Sequence, residues 1–300
     1  MKKALLQLHA AVFLAGFTGI MGRLIELNEG LLVWYRMLIT VVILSFILVP
    51  QKKLSRISAN DKVKLIAVGS IVALHWVTFY GSIKYANVSI ALVCFSSIGF
   101  FTAFFEPVIL KRKFDAVEVL LGFLAMVGIY IIFNFNPDYK TGIIIGIISA
   151  LLAVLFSVIN KIFVSRLPVK TITFYELGGG WLVLTILMPL YLGIFPTSYI
   201  FPRWQDWLWL FLLAAACTVW AFNLQLNALT KLSTFTSNLT YNLEPVYGII
   251  LAFVVFKENK YLSNEFYAGL TLIVAAVILQ TVRITRQKSR SGVVTKKISG

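Results

Sequence analysis

The sequence predicts an all-α integral membrane protein of ten transmembrane helices in two five-helix halves, between which any repeat is an inverted one. Three observations lead there. Of the 300 residues 59% are apolar and 13% charged, with a mean hydropathy of +0.88, which is more apolar surface than a water-soluble core can enclose. Apolar stretches of about 20 residues recur with few charges on any face, the length that crosses a hydrocarbon core of roughly 30 Å. An odd number of spans in each half turns the second half over relative to the first, so a repeat between them is an inverted one.

The first span covers 4–22. Lys2 and Lys3 before an apolar run imitate a secretion signal, but no convincing small-residue cleavage site follows, and the run reads as an uncleaved helix. The second span, 30–49, carries Arg36; the third, 63–83, holds His75 and Trp76 at its middle; the fourth, 87–110, ends on Glu106 and Pro107; the fifth is 116–134. The sixth, 141–162, ends near Lys161, and the seventh, 172–194, has Glu176 near its start. Trp204, Trp207, Trp209, Tyr191 and Tyr199 gather around the next connection, at the depth where amphipathic rings anchor in headgroups. The eighth span, 206–228, carries Trp220, Asn223 and Asn227; the ninth, 234–256, carries Tyr241, Glu244 and Pro245; the tenth is 265–283. The expected domains are 1–140, 141–285 and a basic tail, 286–300.

The formal net charge is +15, yet the basic residues sit in short clusters between apolar segments and form no stripe with interleaved stacking aromatics, so nucleic acid is not the expected partner. Of the 27 basic residues, twenty fall on the side of the N-terminus; Arg23, Lys84, Lys140, Arg203, Lys257 and Lys260 fall on the other, and Arg36 lies within a span. The positive-inside rule then puts both termini in the cytoplasm, with the plasma membrane of a bacterium (its inner membrane) as the expected location. Cys94 and Cys217 lie inside apolar segments and offer neither a disulfide framework nor metal-ligand spacing.

Internal similarity is modest. A shift of 146 residues sets Ser82 to Lys84 beside Ala228 to Thr230 and the Lys111 to Lys113 turn beside Lys257 to Asn259; a shift of 140 sets Tyr35 and Arg36 beside Tyr175 and Glu176. The run HWVTFYGSIKYANVSIALVCFSSIGFFTAFFEP, His75 to Pro107, and the run LEPVYGIILAFVVFKEN, Leu243 to Asn259, resemble the EamA-type branch of the drug/metabolite transporter superfamily. In the second run a proline precedes an apolar stretch that in that branch ends in Gly-Glu; Lys257 stands where Gly is usual, and Lys111 and Arg112 replace the pair in the first half. The resemblance implies a ten-helix carrier with a central substrate cavity, for amino acids or related metabolites, working without a cofactor.

Ionisable groups inside hydrocarbon cost about 2.5–3.5 kcal/mol each on insertion scales, so each requires a partner or a task. Glu244 lies near mid-bilayer with Ser237, Thr240, Tyr241 and Gly248 at helical spacing around it, beside a proline that frees a backbone carbonyl. It either binds a substrate ammonium, takes up a coupling proton, or is a structural carboxylate satisfied by neighbouring helices. His75 and Trp76, with Trp220, Asn223 and Asn227 at a comparable level in the eighth span, are candidates to line the same cavity, as is Tyr241; packing is the alternative for the tryptophans. Asn238 and Asn242 read as interhelical glue. Arg36 is expected to snorkel outward or reach Glu26 or Glu29, Glu176 to meet Lys161 or Lys170 near the inner face, and Glu106 to meet the Lys111 to Lys113 turn; Arg36 and Glu176 then belong to opposite gates, or act as anchors.

No HExxH or GxSxG motif or paired intramembrane aspartates point to an enzyme, and no filter-like segment points to a channel. The expected function is secondary transport of a small organic metabolite by a monomer in the lipid bilayer, exporting or exchanging an amino acid or related solute, with a proton as a possible coupling ion. Efflux of cationic drugs is an alternative, although the first span lacks the glutamate on which the smaller four-helix relatives depend. A receptor or scaffold is the alternative of another class.

Overall fold

The computed structural model describes the backbone of residues 2–135, 137–232, 234–241 and 243–298, and their side chains except at 135, 137, 235, 239, 280, 281 and 284–298. Among the described residues ten α-helical segments follow one another. They are α1 (Lys2–Leu24), α2 (Glu29–Leu48), α3 (Ala59–Tyr85), α4 (Val88–Leu110), α5 (Ala116–Phe135), α6 (Lys140–Phe163), α7 (Val169–Ile194), α8 (Trp204–Leu229), α9 in two pieces (Thr234–Tyr241 and Glu244–Phe256), and α10 (Asn264–Ile298). The first eight are long and apolar enough to cross a membrane; the apolar helices of the last two, Glu244–Phe256 and Asn264–Leu279, are shorter. No strand occurs among the described residues. Expected boundaries shift where side-chain caps set the start: Asn28, Ser58 and Asn87 accept from the amides of Leu31, Asp61 and Ile90, and Ser58 starts α3 four residues before the apolar run.

Both repeats show the same packing. The contact of α3 with α6 has its mate in α8 with α1, that of α3 with α7 in α8 with α2, and that of α4 with α6 in α9 with α1. The self-paired contacts are α2 with α7, α4 with α9 and α5 with α10. In the last of these, Gly128 meets Gly269: a Cβ on Gly128 would stand 2.6 Å from the Gly269 carbonyl oxygen, and one on Gly269 2.5 Å from that of Gly128. Only a residue without a side chain lets the two backbones come this close.

The 146-residue register is visible in the backbone. Lys111 and Lys257, which end α4 and α9, are both left-handed, with φ of 52° and 55°. That conformation suits the glycine that the resemblance leads one to expect at position 257, and it costs an L-residue roughly 1–2 kcal/mol. One register further in, α4 is interrupted at Ser96 and Ser97, and α9 between Tyr241 and Glu244. Side chains turned away from the bundle, such as Phe46, Leu120 and Val254, are apolar and exposed, as a hydrocarbon solvent requires.

Candidate functional site

Four of the ten segments are irregular at mid-length. α1 breaks at Phe17, between Lys2–Gly16 and Thr18–Leu24; α4 and α9 break as described; α8 widens into a π-turn over Ala215–Trp220. All four irregularities border one central cavity of about 70 Å³, which Thr18, Phe95, Ile98, Cys217, Ala221, Tyr241 and Glu244 help to line. Backbone that leaves the regular helix at this depth is tolerated in a bilayer where it lines a cavity or is covered by protein.

Arg36 enters from α2 and is 2% exposed. Its Nε donates to Thr218 Oγ1 at 2.8 Å, one terminal nitrogen to the Tyr80 hydroxyl at 2.8 Å, and the other to the Cys217 carbonyl at 3.4 Å. The guanidinium lies over the Trp76 ring, 3.7 Å from its centroid. The expected outward snorkelling and contact with Glu26 or Glu29 are therefore corrected. Partners on α3 and α8 satisfy the charge more fully than one headgroup could, and Glu26 pairs with Arg203 while Glu29 accepts from Tyr191.

Glu244 reaches the cavity from the first turn of the second piece of α9. It is 5% exposed, and among the described residues no donor bonds its carboxylate and no cation pairs with it. Tyr241 lines the cavity beside it, although the interruption between them means that they do not share one continuous helical stripe. His75 and Trp76 line it from α3; His75 Nδ1 sits 2.9 Å from both the carbonyl and the hydroxyl of Ser149, and the ring stacks on Phe95 with centroids 5.6 Å apart. Phe79, Phe156 and Phe222 add aromatic wall.

Three of the expected cavity residues lie elsewhere. Trp220 is 59% exposed on the outer surface of α8, the Asn223 amide donates to the Val219 carbonyl at 3.0 Å, and Asn227 opens into a shallow cleft beside Lys3 and Lys231. The π-turn, which ends at Trp220, breaks the regular helical spacing on which the grouping of these three residues rests. The residues that do face the cavity are Ala221, Phe222 and Gln225, the 146-residue mates of His75, Trp76 and Phe79. That register, applied to His75 rather than matching tryptophan with tryptophan, picks them out of the sequence.

The remaining charges are distributed as follows. Glu176 is fully buried and accepts from Asn160 Nδ2 at 2.8 Å, not from a lysine. Lys161 instead donates to the Leu229 and Leu232 carbonyls at 2.6 Å each, because the end of α8 leaves carbonyls without helical partners there. Glu106 meets Arg112 of the basic turn at 3.1 Å, as expected. Asn238 joins three helices, receiving from Ser157 and donating to Thr102 at 2.9 Å each; Asn242 lies outside the described residues. The Glu258 carboxylate caps the start of α4, accepting from the amides of Val88 at 3.1 Å and Ser89 at 2.8 Å.

A wider crevice of about 580 Å³ opens between α3, α6 and α7, but its lining is almost wholly apolar and its acid, Glu29, is occupied by Tyr191. Among the described residues no group of three or more His, Cys, Asp or Glu could hold a metal ion.

Comparison with known proteins is consistent with this arrangement. The model of the EamA-like transporter family matches residues 2–134 and again 140–282. An uncharacterized transporter of Haemophilus influenzae is 25% identical over 149 residues, 47% of this chain and 49% of that protein, so the chain spans about half the length of the curated relative it matches. A crystal structure of a protein 16% identical to this chain superposes with a TM-score of 0.67, covering 93% of this chain and 97% of the other, a likeness of fold alone.

Proposed function

The chain belongs to the EamA-like transporter family, and from that membership we propose that it is a secondary transporter for a small zwitterionic metabolite, an amino acid or related solute, bound in the central cavity. The observation that carries the reading is the placement of one guanidinium, Arg36, and one carboxylate, Glu244, which has no hydrogen-bond donor among the described residues, on the wall of a single aromatic-lined cavity. Arg36 spends three of its five N–H groups on protein, which leaves donors for a solute carboxylate. Glu244 matches an ammonium, and in the absence of solute its carboxylate is a place for a coupling proton. The tryptophan, tyrosine and phenylalanine rings around them suit an apolar body between the two charges.

Transport follows an alternating-access cycle in this reading. The cavity has room for water but is too small for a metabolite, so the helices that break around it have to part, first toward one side and then the other. The basic side chains gathered on the side of the N-terminus support cytoplasmic termini and a location in the inner membrane of a bacterium, with export or exchange as the direction. Each chain carries its own cavity, so a monomer is sufficient. Efflux of lipophilic cations ranks second, because such a solute would set another positive charge beside Arg36.

The experiment is a thermal-shift screen of the purified protein against amino acids, sugars, nucleosides and cationic drugs, followed by counterflow of each stabilising compound in proteoliposomes. Stabilisation and counterflow by amino acids support the proposal. Counterflow confined to cationic drugs or sugars overturns the substrate class, and binding without counterflow of any compound favours a receptor.

A further inference from the structure

Asn160 of α6 and Glu176 of α7 are both 0% exposed, and they share one hydrogen bond, from Asn160 Nδ2 to Glu176 Oε1 at 2.8 Å. Their other two polar atoms, Asn160 Oδ1 and Glu176 Oε2, are also enclosed, and neither receives a hydrogen bond. Both atoms are acceptors when the carboxyl is ionised, so neither can satisfy the other in that form. A buried polar group left unsatisfied costs about 1–3 kcal/mol, and a charged one more.

Among the described residues no cation pairs with the Glu176 carboxylate. From α2, Arg36 is turned to Tyr80, Thr218 and Cys217; from α6, Lys161 is turned to the end of α8. From α3, Asp61 pairs with Arg166 at 2.7 Å, Lys62 lies over the Tyr175 ring at 5.7 Å, Lys64 is exposed and His75 is held at Ser149; what α3 sets against Glu176 is the backbone of Gly69. From α8 the titratable groups are Asp206, held by the Tyr199 hydroxyl and the Glu26 and Arg203 amides, and Cys217, buried beside Arg36; on α7 itself Lys170 is exposed. Among the described residues none forms an ion pair with Glu176.

One proton on Glu176 Oε2, donated to Asn160 Oδ1, supplies the missing donor to one acceptor and the missing partner to the other. We propose that Glu176 and Asn160 form such a two-point acid–amide ring, and that Glu176 is thereby a second proton-binding site, outside the central cavity. A carboxylic acid kept neutral in a dry site serves as a donor in the same way. The ring joins α6 to α7, and loss of the proton breaks one of its two bonds and leaves a bare charge between the helices. This inference does not depend on the solute carried.

The test is infrared spectroscopy of the full chain in lipid nanodiscs at neutral pH. A carboxylic-acid C=O band that is absent in Glu176→Gln and retained in Glu244→Gln is the expected result, and Asn160→Leu should move that band toward the frequency of an acid free of hydrogen bonds. Glu176→Gln should also keep the wild-type thermal midpoint, since an amide–amide pair preserves both bonds. A spectrum without a band that depends on Glu176, or a band that Asn160→Leu leaves in place, overturns the proposal. If Glu176→Gln fails to fold, the Asn160→Leu shift still decides.

Discussion

The guanidinium of Arg36 lies 3.7 Å from the centre of the Trp76 ring while bonding to Tyr80 on one helix and to Thr218 on another. One side chain from the first repeat thus ties α2 and α3 to the π-turn of α8 at the edge of the cavity. A lysine cannot reproduce this, because a single ammonium does not reach three acceptors from one stacked position.

Arg36→Lys should therefore lower both stability and transport. Each hydrogen bond made by a charged group contributes about 1.5–3 kcal/mol, and at least one is lost. We expect a clear fall in thermal midpoint in detergent and a fall in counterflow of about tenfold or more. Tyr80→Phe, which removes one bond, should lose less of both.

Glu258→Ala removes the carboxylate that accepts from the first two amides of α4. The cost should be that of a lost N-cap, about 0.5–2 kcal/mol. Thermal unfolding would show it, and Glu258→Gln, which retains an acceptor, should lose less.

Gly128→Leu or Gly269→Leu forces α5 and α10 apart where their backbones touch, with an overpacking cost of about 1–3 kcal/mol or more. Gly178→Ala, where a Cβ meets nothing within 4 Å, should be close to neutral. The yield of monodisperse protein and its thermal midpoint separate the two outcomes.

Partial burial pushes the Asp115 carboxyl up, but the Arg283 hydrogen bond, with the Val117 and Glu118 amides, outweighs it and holds the group below the usual carboxylate range. A carboxyl depressed in the folded protein contributes stability above its unfolded value, near 3.8, and that contribution is lost as pH falls through the folded value. The pair is partly solvated and contributes about 0.2–1 kcal/mol. Thermal midpoints measured from pH 5 downward should fall in the wild type by slightly more than in Asp115→Asn.

Much of this fold is legible in the sequence, because a bilayer demands length and apolarity of every span and charge of its connections. The register between Lys111 and Lys257 is legible too, and the shared left-handed turn gives it a physical meaning. The surroundings of Arg36 are less legible. Counting residues from the helix end measures depth along one helix, whereas its partners arrive from Tyr80, Cys217 and Thr218, distant in sequence and of types that carry no pattern. Trp220 illustrates a different limit: matching it to Trp76 by residue type puts it inside, whereas the 146-residue register pairs Trp76 with Phe222 and agrees with Ala221, Phe222 and Gln225 on the inner face. Glu176 fell to Asn160 rather than to Lys161 because helix-end carbonyls compete for the lysine.

The central claim is that Glu244 acts in the cavity on the solute or on a coupling proton. The direct measurement is counterflow, across a range of pH, of a solute that stabilises the wild type, comparing wild type with Glu244→Gln in proteoliposomes holding equal amounts of folded protein. The account predicts at least a tenfold loss of rate or affinity in Glu244→Gln, or a rate that no longer varies with pH. A variant that transports with unchanged rate, affinity and pH profile would contradict it.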